Sequence, residues 1–254
     1  MDHMDTGRIA LVVEYEGTRY HGFQVQANVP TVQGELERAL MRVTGESIRI
    51  SSASRTDQGV HATGQVVSFR SASRLTPEVF LRALNHYLPA DIAVRRAFWV
   101  GDDFDVRRDA LSREYRYSIL NRATLSPLLR RSACFVPRPL DVAAMNRACQ
   151  ALLGTHDFVG FASALDGPKN TVRTVHRAEV AREDELVAFY MAANSFLPHQ
   201  VRNTLGALVK VGLGKSDETV FQEILQCSRP GVAGPAFPPH GLCLMKVNYP
   251  EGIG

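Results

Sequence analysis

Between Arg8 and Tyr15 the chain alternates, placing Ile9, Leu11, Val13 and Tyr15 on one face. It then changes to helical spacing, with Val32, Leu36, Ala39/Leu40 and Val43 in one stripe that stops at Gly45. This change of period, from two residues to about 3.6 and back, recurs along the chain and most restricts its fold. Ile48-Arg49-Ile50 and Gln65-Val66-Val67-Ser68-Phe69 read as strands. Thr76-Pro77-Glu78 opens a second helix with a cap, a first-turn proline and an acid that complements the dipole; Phe80, Leu84 and Leu88 form its stripe. Ile92-Ala93-Val94 and Ala97-Phe98-Trp99-Val100 add strand.

The second half repeats that kind of order. A strand from Glu114 to Leu120 precedes a helix from Asp141, with Met145, Ala148 and Leu152 inward and Gly154 as stop. Strands follow at Val172 to Val175 and Leu186 to Ala193, then a helix from about Pro198 to Gly212 with Val201, Leu205 and Leu208 inward. Another helix runs from Asp217 to Cys227, and Leu242 to Val247 closes as a strand. Strands in succession with helices to one side predict an α+β fold with mainly antiparallel sheets. At 254 residues there is room for two subdomains, residues 1–106 and 107–254.

The run Ser54-Arg55-Thr56-Asp57-Gln58-Gly59-Val60-His61-Ala62 sets an acid beside a base on a glycine-containing bend between two strands. Side chains on loops held by a rigid scaffold often carry chemistry. Spacing alone fits two readings: a presented Asp57 carboxylate, or a turn in which Asp57 bonds its own backbone while Arg55 lies in solvent. His61 reads as structural.

Apolar residues make up 45% of the chain and charged residues 22%, the proportions of an ordinary folded protein. No apolar run reaches the roughly 18 residues of a membrane span. Met1-Asp2-His3-Met4-Asp5 resembles neither a secretory signal nor a basic transit peptide, so a cytoplasmic location is expected. Cys134, Cys149, Cys227 and Cys243 are far apart without ligand spacing, and the histidines form no cluster, so neither metal nor disulfide is expected. The net charge of +3 says little, but arginines crowd the middle third, from Arg95-Arg96 and Arg107-Arg108 through Arg113, Arg116 and Arg122 to Arg130-Arg131 and Arg138. Guanidinium groups suit phosphate, which favours a nucleic-acid partner.

Arg55 to His61, as Arg-Thr-Asp-x-Gly-Val-His, resembles the signature of the TruA family of tRNA pseudouridine synthases. Further similarity runs along the chain in the family's order: Tyr15 to Gln24, Val32 to Glu37, Phe104 to Arg107, Arg113 to Tyr117, Leu153 to Phe158, Phe196 to Asn203 and His240 to Leu242. Two departures stand in the signature, Ser54 where the family usually has Gly and Gln58 where it usually has Ala. They leave the acid untouched and bear on the local backbone and on RNA choice.

The resemblance implies two ferredoxin-like (RRM-like) subdomains joined across a central basic cleft, a homodimer, and isomerisation of uridine to pseudouridine in the anticodon stem-loop of tRNA, at positions 38 to 40. That reaction breaks the bond from ribose to uracil N1, turns the base and rejoins it through C5, with no redox change, so no cofactor is expected. It implies Asp57 as nucleophile, with Arg55 and Arg202 favouring its ionised form. Tyr115 would stack on the everted base, and Leu242 would close the pocket. Arg107, Arg108, Lys169 and His199 would touch RNA. All five residues of the reacting centre are expected to meet in the cleft. Two other readings are a non-catalytic RRM-like RNA-binding module, which would not need Asp57, and a hydrolase of N-glycosidic bonds, which usually calls for a second acid or base. A pseudouridine synthase acting on another RNA is a further alternative.

Overall fold

The computed structural model describes residues 7–163 and 170–250. The chain divides into two compact units after Leu111, and from Leu244 it returns to the first.

The first unit opens with strand β1 (Gly7–Tyr15), then helix α1 (Val32–Thr44), β2 (Ser51–Ser52), β3 (His61–Ser71), helix α2 (Pro77–Tyr87) and β4 (Ile92–Val100). β1 lies between β4 and β3, antiparallel to both, and β2 pairs antiparallel with β3. The expected inward residues of β1, namely Ile9, Leu11, Val13 and Tyr15, are all buried. Leu36 and Leu40 of α1 and Phe80 and Leu84 of α2 join them, with Phe80 meeting Phe69 of β3 edge-on at 5.6 Å. Each such buried side chain contributes about 1.5–3 kcal/mol. Thr31 caps α1 by accepting from the Gly34 N–H, and Gly45, at φ 76, ends it in the left-handed conformation that suits glycine.

Two local expectations are corrected. Ile48 and Ile50 are buried on alternate positions, yet strand pairing begins only at Ser51. Helix α1 takes the backbone groups a ladder would use: the Glu37 carboxylate accepts from the Ile50 N–H at 3.1 Å, and Gln33 Nε2 donates to the Ile50 carbonyl at 3.3 Å. Thr76 stands at the N-cap of α2 without a side-chain bond to the helix backbone. Its hydroxyl instead bonds Glu78, whose carboxyl is held below the ordinary range by that bond.

The second unit begins with β5 (Ser112–Leu120), to which β6 (Cys134–Phe135) pairs in parallel. Then come α3 (Val142–Gln150), β7 (Gly154–Asp157), β8 (Val172–Glu183), β9 (Leu186–Ala193), α4 (Gln200–Gly212) and α5 (Glu218–Gln226). The order β5-β9-β8-β7 is antiparallel throughout. α4 is buried on most of its sides, its polar Gln200, Asn203 and Thr204 included, with the expected Val201, Leu205 and Leu208 in its core face. It starts two residues later than Pro198 because His199 takes φ 60 and serves as N-cap. α3 likewise stops at Gln150, before Gly154, which at φ 96 starts β7. The last strand, β10 (Leu242–Asn248), enters the first unit from Leu244, where the Thr63 hydroxyl donates to the Met245 carbonyl at 3.3 Å. The whole is a mixed α+β fold. No helix among the described residues is long and apolar enough to cross a membrane.

Candidate active site

In the first unit the Arg55–His61 loop is anchored beside Asp57 through Thr56. Thr56 is buried, whereas Arg55 and Gln58 are exposed and Asp57 is half-buried. The Thr56 hydroxyl lies 2.8 Å from the Tyr15 hydroxyl, and its carbonyl accepts from the Phe23 N–H at 3.0 Å. Behind it the fully buried Gln65 donates from Nε2 to the Ser54 carbonyl at 2.7 Å and accepts at Oε1 from the Ser54 N–H at 3.3 Å. The same Nε2 is 3.4 Å from the Tyr15 hydroxyl. After Asp57 the chain reverses: the Val60 N–H bonds the Asp57 carbonyl at 3.2 Å, with Gly59 at φ 76. Asp57 therefore stands on a turn whose two ends are tied to the sheet, so that its backbone is held in place.

The Tyr15 to Gln24 motif wraps this loop. A Cβ on Gly17 would sit 2.0 Å from the Val60 carbonyl oxygen, and one on Gly22, at φ 92, would sit 2.8 Å from the Thr56 oxygen. Only a chain without side chains at those points can lie so close. His61, 9% exposed, accepts the Gly17 N–H at Nδ1 at 3.0 Å, which places the proton of its neutral ring on Nε2. The geometry agrees with a structural role for His61.

In the second unit Tyr115 faces Met191 across β5 and β9 and is 6% exposed. The Phe196 ring stands at 90° to it, centroids 5.1 Å apart. Tyr117, two positions on and on the same face, is fully buried; its hydroxyl donates to the Pro238 carbonyl at 2.6 Å, and burial pushes its pKa up. Its ring lies 5.6 Å from that of Phe237 and packs so closely on Gly241 that a Cβ there would come within 2.3 Å. Arg202, half-buried in the first turn of α4, donates from Nε to the Phe237 carbonyl at 2.7 Å, while the Phe237 N–H bonds the Arg202 carbonyl at 3.2 Å. Tyr117 thus holds together the segment from Pro238 to Gly241 that leads into Leu242, which is itself buried. Arg202 grips the preceding residue. Alternation along Arg113 to Tyr117 also puts Arg113 on the Tyr115 face, where it is 6% exposed and donates to the Asn194 carbonyl at 2.7 Å.

Arg107 and Arg108 are exposed on a turn closed by Asp105, whose carboxylate accepts both their N–H groups at 2.9 and 2.8 Å and is held below its usual pKa by them. The Arg108 guanidinium is already engaged with Asp109 at 3.0 Å and the Asp103 carbonyl at 3.2 Å. Arg116 and Arg122 are paired with Glu183 and Glu185. His199 is half-buried with Nδ1 2.7 Å from the Ser163 hydroxyl. Lys169 lies outside the described residues. Cys134 and Cys149 are buried, and no group of three or more potential metal ligands occurs among the described residues.

Sequence alone marks no site role for Tyr15, Gln65 or Phe196, and Arg113, expected among the phosphate-binding arginines, is instead buried against the Asn194 carbonyl. For Tyr15 and Phe196 the signal was membership of a motif; for Arg113 it was strand parity with Tyr115.

The profile of the tRNA pseudouridine synthase family matches residues 11–109 and 148–250, which include Asp57, Arg202 and Leu242. The chain belongs to the TruA family of tRNA pseudouridine synthases and is an isomerase. Among its relatives, the tRNA pseudouridine synthase A of Myxococcus xanthus is 44% identical over 246 residues, covering 96% of this chain and 93% of its own. That of Roseiflexus sp. (strain RS-1) is 46% identical over 251 residues, 96% and 91% of the two chains. That of Neisseria meningitidis serogroup C / serotype 2a is 40% identical over 255 residues, 100% and 96%.

Proposed function

We propose that the enzyme acts on uridines at positions 38 to 40 in the anticodon stem-loop of tRNA, with Asp57 as nucleophile. The observation that carries this reading is the anchoring of the signature loop through Thr56, which fixes the backbone on one side of Asp57 while Arg55 and Gln58 stay exposed. A carboxylate so held suits attack on an electrophilic carbon of the everted nucleotide, whether C1′ of the ribose or C6 of the base. The N1–C1′ bond breaks, a C5–C1′ bond forms, C5 gives up its proton, and N1 takes one; no electrons enter or leave. Arg55 and Arg202 orient the acid, Tyr115 stacks on the base, and Leu242 supplies an apolar wall. Stacking on one ring is worth about 1–3 kcal/mol, comparable to the cost of unstacking a nucleotide.

Arg107, Arg108, His199 and Lys169 are the proposed RNA contacts. Two ferredoxin-like halves complete the reading; the β4-β1-β3-β2 order of the first unit, with its two helices, supports it there. A cytoplasmic homodimer is the proposed form, which sedimentation at several concentrations would test.

Purified enzyme incubated with unmodified tRNA should yield pseudouridine and release no free uracil. Asp57→Asn should abolish turnover and keep tRNA binding. Turnover by that variant would overturn the nucleophile assignment, and free uracil would favour glycosidic hydrolysis.

A further inference from the structure

The connection between β9 and α4, from Asn194 to His199, is tied down on both sides of its one aromatic residue. Arg113 donates to the Asn194 carbonyl at 2.7 Å. The Asn194 N–H bonds the Thr174 carbonyl at 3.1 Å, and its side-chain oxygen accepts from the N–H groups of Thr174 at 3.1 Å and Ser195 at 2.8 Å. On the far side the Leu197 N–H goes to Gln200 Oε1 at 2.8 Å, and the Pro198 carbonyl accepts from the Ser163 N–H at 3.3 Å. Between these anchors sits Phe196, half-buried, its ring perpendicular to that of Tyr115.

A strand fixes where Tyr115 leaves the backbone. It does not fix the plane of the ring, because the last torsion of a tyrosine has a broad profile. A ring packed beside it restricts that plane. A perpendicular ring at 5.1 Å is the arrangement in which aromatic quadrupoles attract, and it occupies at most one face of the tyrosine. A base that stacks needs the other face, held at one tilt.

We propose that Phe196 is a positioning residue for the isomerisation, a ring clamped by its own connector that fixes the plane on which Tyr115 receives the target uracil. This rests on the reading of Tyr115 as the stacking ring. Affinity for tRNA comes mainly from phosphate contacts, so Phe196 acts on the chemical step and hardly on binding.

The test is Phe196→Leu, which keeps apolar volume and loses the ring, with kcat and KM measured on unmodified tRNA and corrected for the folded fraction. Expected is a loss of about three- to tenfold in kcat, with KM within about twofold of the parent. Phe196→Tyr restores kcat. In a Tyr115→Leu background, Phe196→Leu adds nothing further, since no ring is left to orient. Unchanged kcat in Phe196→Leu, a loss that Phe196→Tyr fails to restore, or losses that multiply fully in the double variant would each overturn the inference. If Tyr115→Leu itself turns over normally, the stacking reading fails first; if it is impaired while Phe196→Leu is not, only the role of Phe196 is lost.

Discussion

The Tyr15 hydroxyl lies 2.8 Å from the Thr56 hydroxyl across 41 positions of sequence, so the end of the first strand holds the residue immediately before Asp57. The same oxygen is within 3.4 Å of Gln65 Nε2, which in turn bonds the Ser54 carbonyl. Tyr15→Phe would leave a buried hydroxyl and a buried amide each short of a partner. A stability loss of about 1–3 kcal/mol is expected in denaturant unfolding. If Asp57 is the nucleophile, a small displacement of it is costly, and kcat should fall about ten- to hundredfold while tRNA affinity holds. Turnover at the parental rate in this variant would show that the tie does not position Asp57.

His61 follows Asp57 closely and is tempting as a proton carrier, but its Nδ1 is occupied by the Gly17 N–H. Asn places an acceptor oxygen near the same point, so His61→Asn should cost about 1 kcal/mol or less and leave kcat within about threefold. His61→Leu removes the acceptor, and the unmet Gly17 N–H should cost about 1–3 kcal/mol. Loss of turnover with intact stability in His61→Asn would instead assign it to proton transfer.

Much of this architecture was legible because period and punctuation agree. The strand from Leu186 to Ala193 emerges with the bounds expected of it, and α5 is capped by Asp217, where the pattern put its start. What sequence did not disclose is competition for backbone groups. Ile48-Arg49-Ile50 has the composition and parity of a strand, yet Gln33 and Glu37 of α1 bond its amide and carbonyl first. His199 shows the same limit, since its left-handed turn delays α4 by a choice that only tertiary packing makes favourable. In the candidate site, the signature named Asp57 but not its clamp. Gly17 and Gly22 look like loop glycines until the approach of Val60 and Thr56 shows why a side chain is excluded.

Tyr20 supplies a pH dependence in the same motif. Its buried phenol donates to Asp91 at 2.6 Å; burial, and then that bond, push its pKa up to about 12. A folded pKa above the unfolded value of about 10 gives stability that is whole below pH ~10 and lost as pH climbs toward ~12. For Asp91, burial acts to raise the pKa, but the bonds from Tyr20 and Arg19 outweigh it and leave the carboxyl depressed. Its contribution is therefore present above the ordinary carboxylate range and lost as pH falls through the depressed folded value. Unfolding at about pH 8 and about pH 11 should differ in midpoint for the parent, and Tyr20→Phe should narrow that difference. An equal difference in both proteins would assign the alkaline loss to other groups.

Arg202 and Phe237 are joined twice, once through the Arg202 backbone and once through its Nε. Arg202→Lys preserves the positive charge and the backbone bond and loses the Nε–H, so the approach of Phe237 to α4 survives while the direction of the cation does not. Lysine is a mobile point charge without the planar fork that lets arginine hold one group with Nε and present its remaining donors to another. If Arg202 orients the reacting carboxylate, turnover should drop about tenfold or more, with melting temperature and tRNA affinity close to parental. Arg202→Met, unbranched and uncharged, should lower turnover further. A lysine variant as active as the parent would reduce the role of Arg202 to its charge, and equal losses in both variants would place the whole effect in the Nε strap to Phe237.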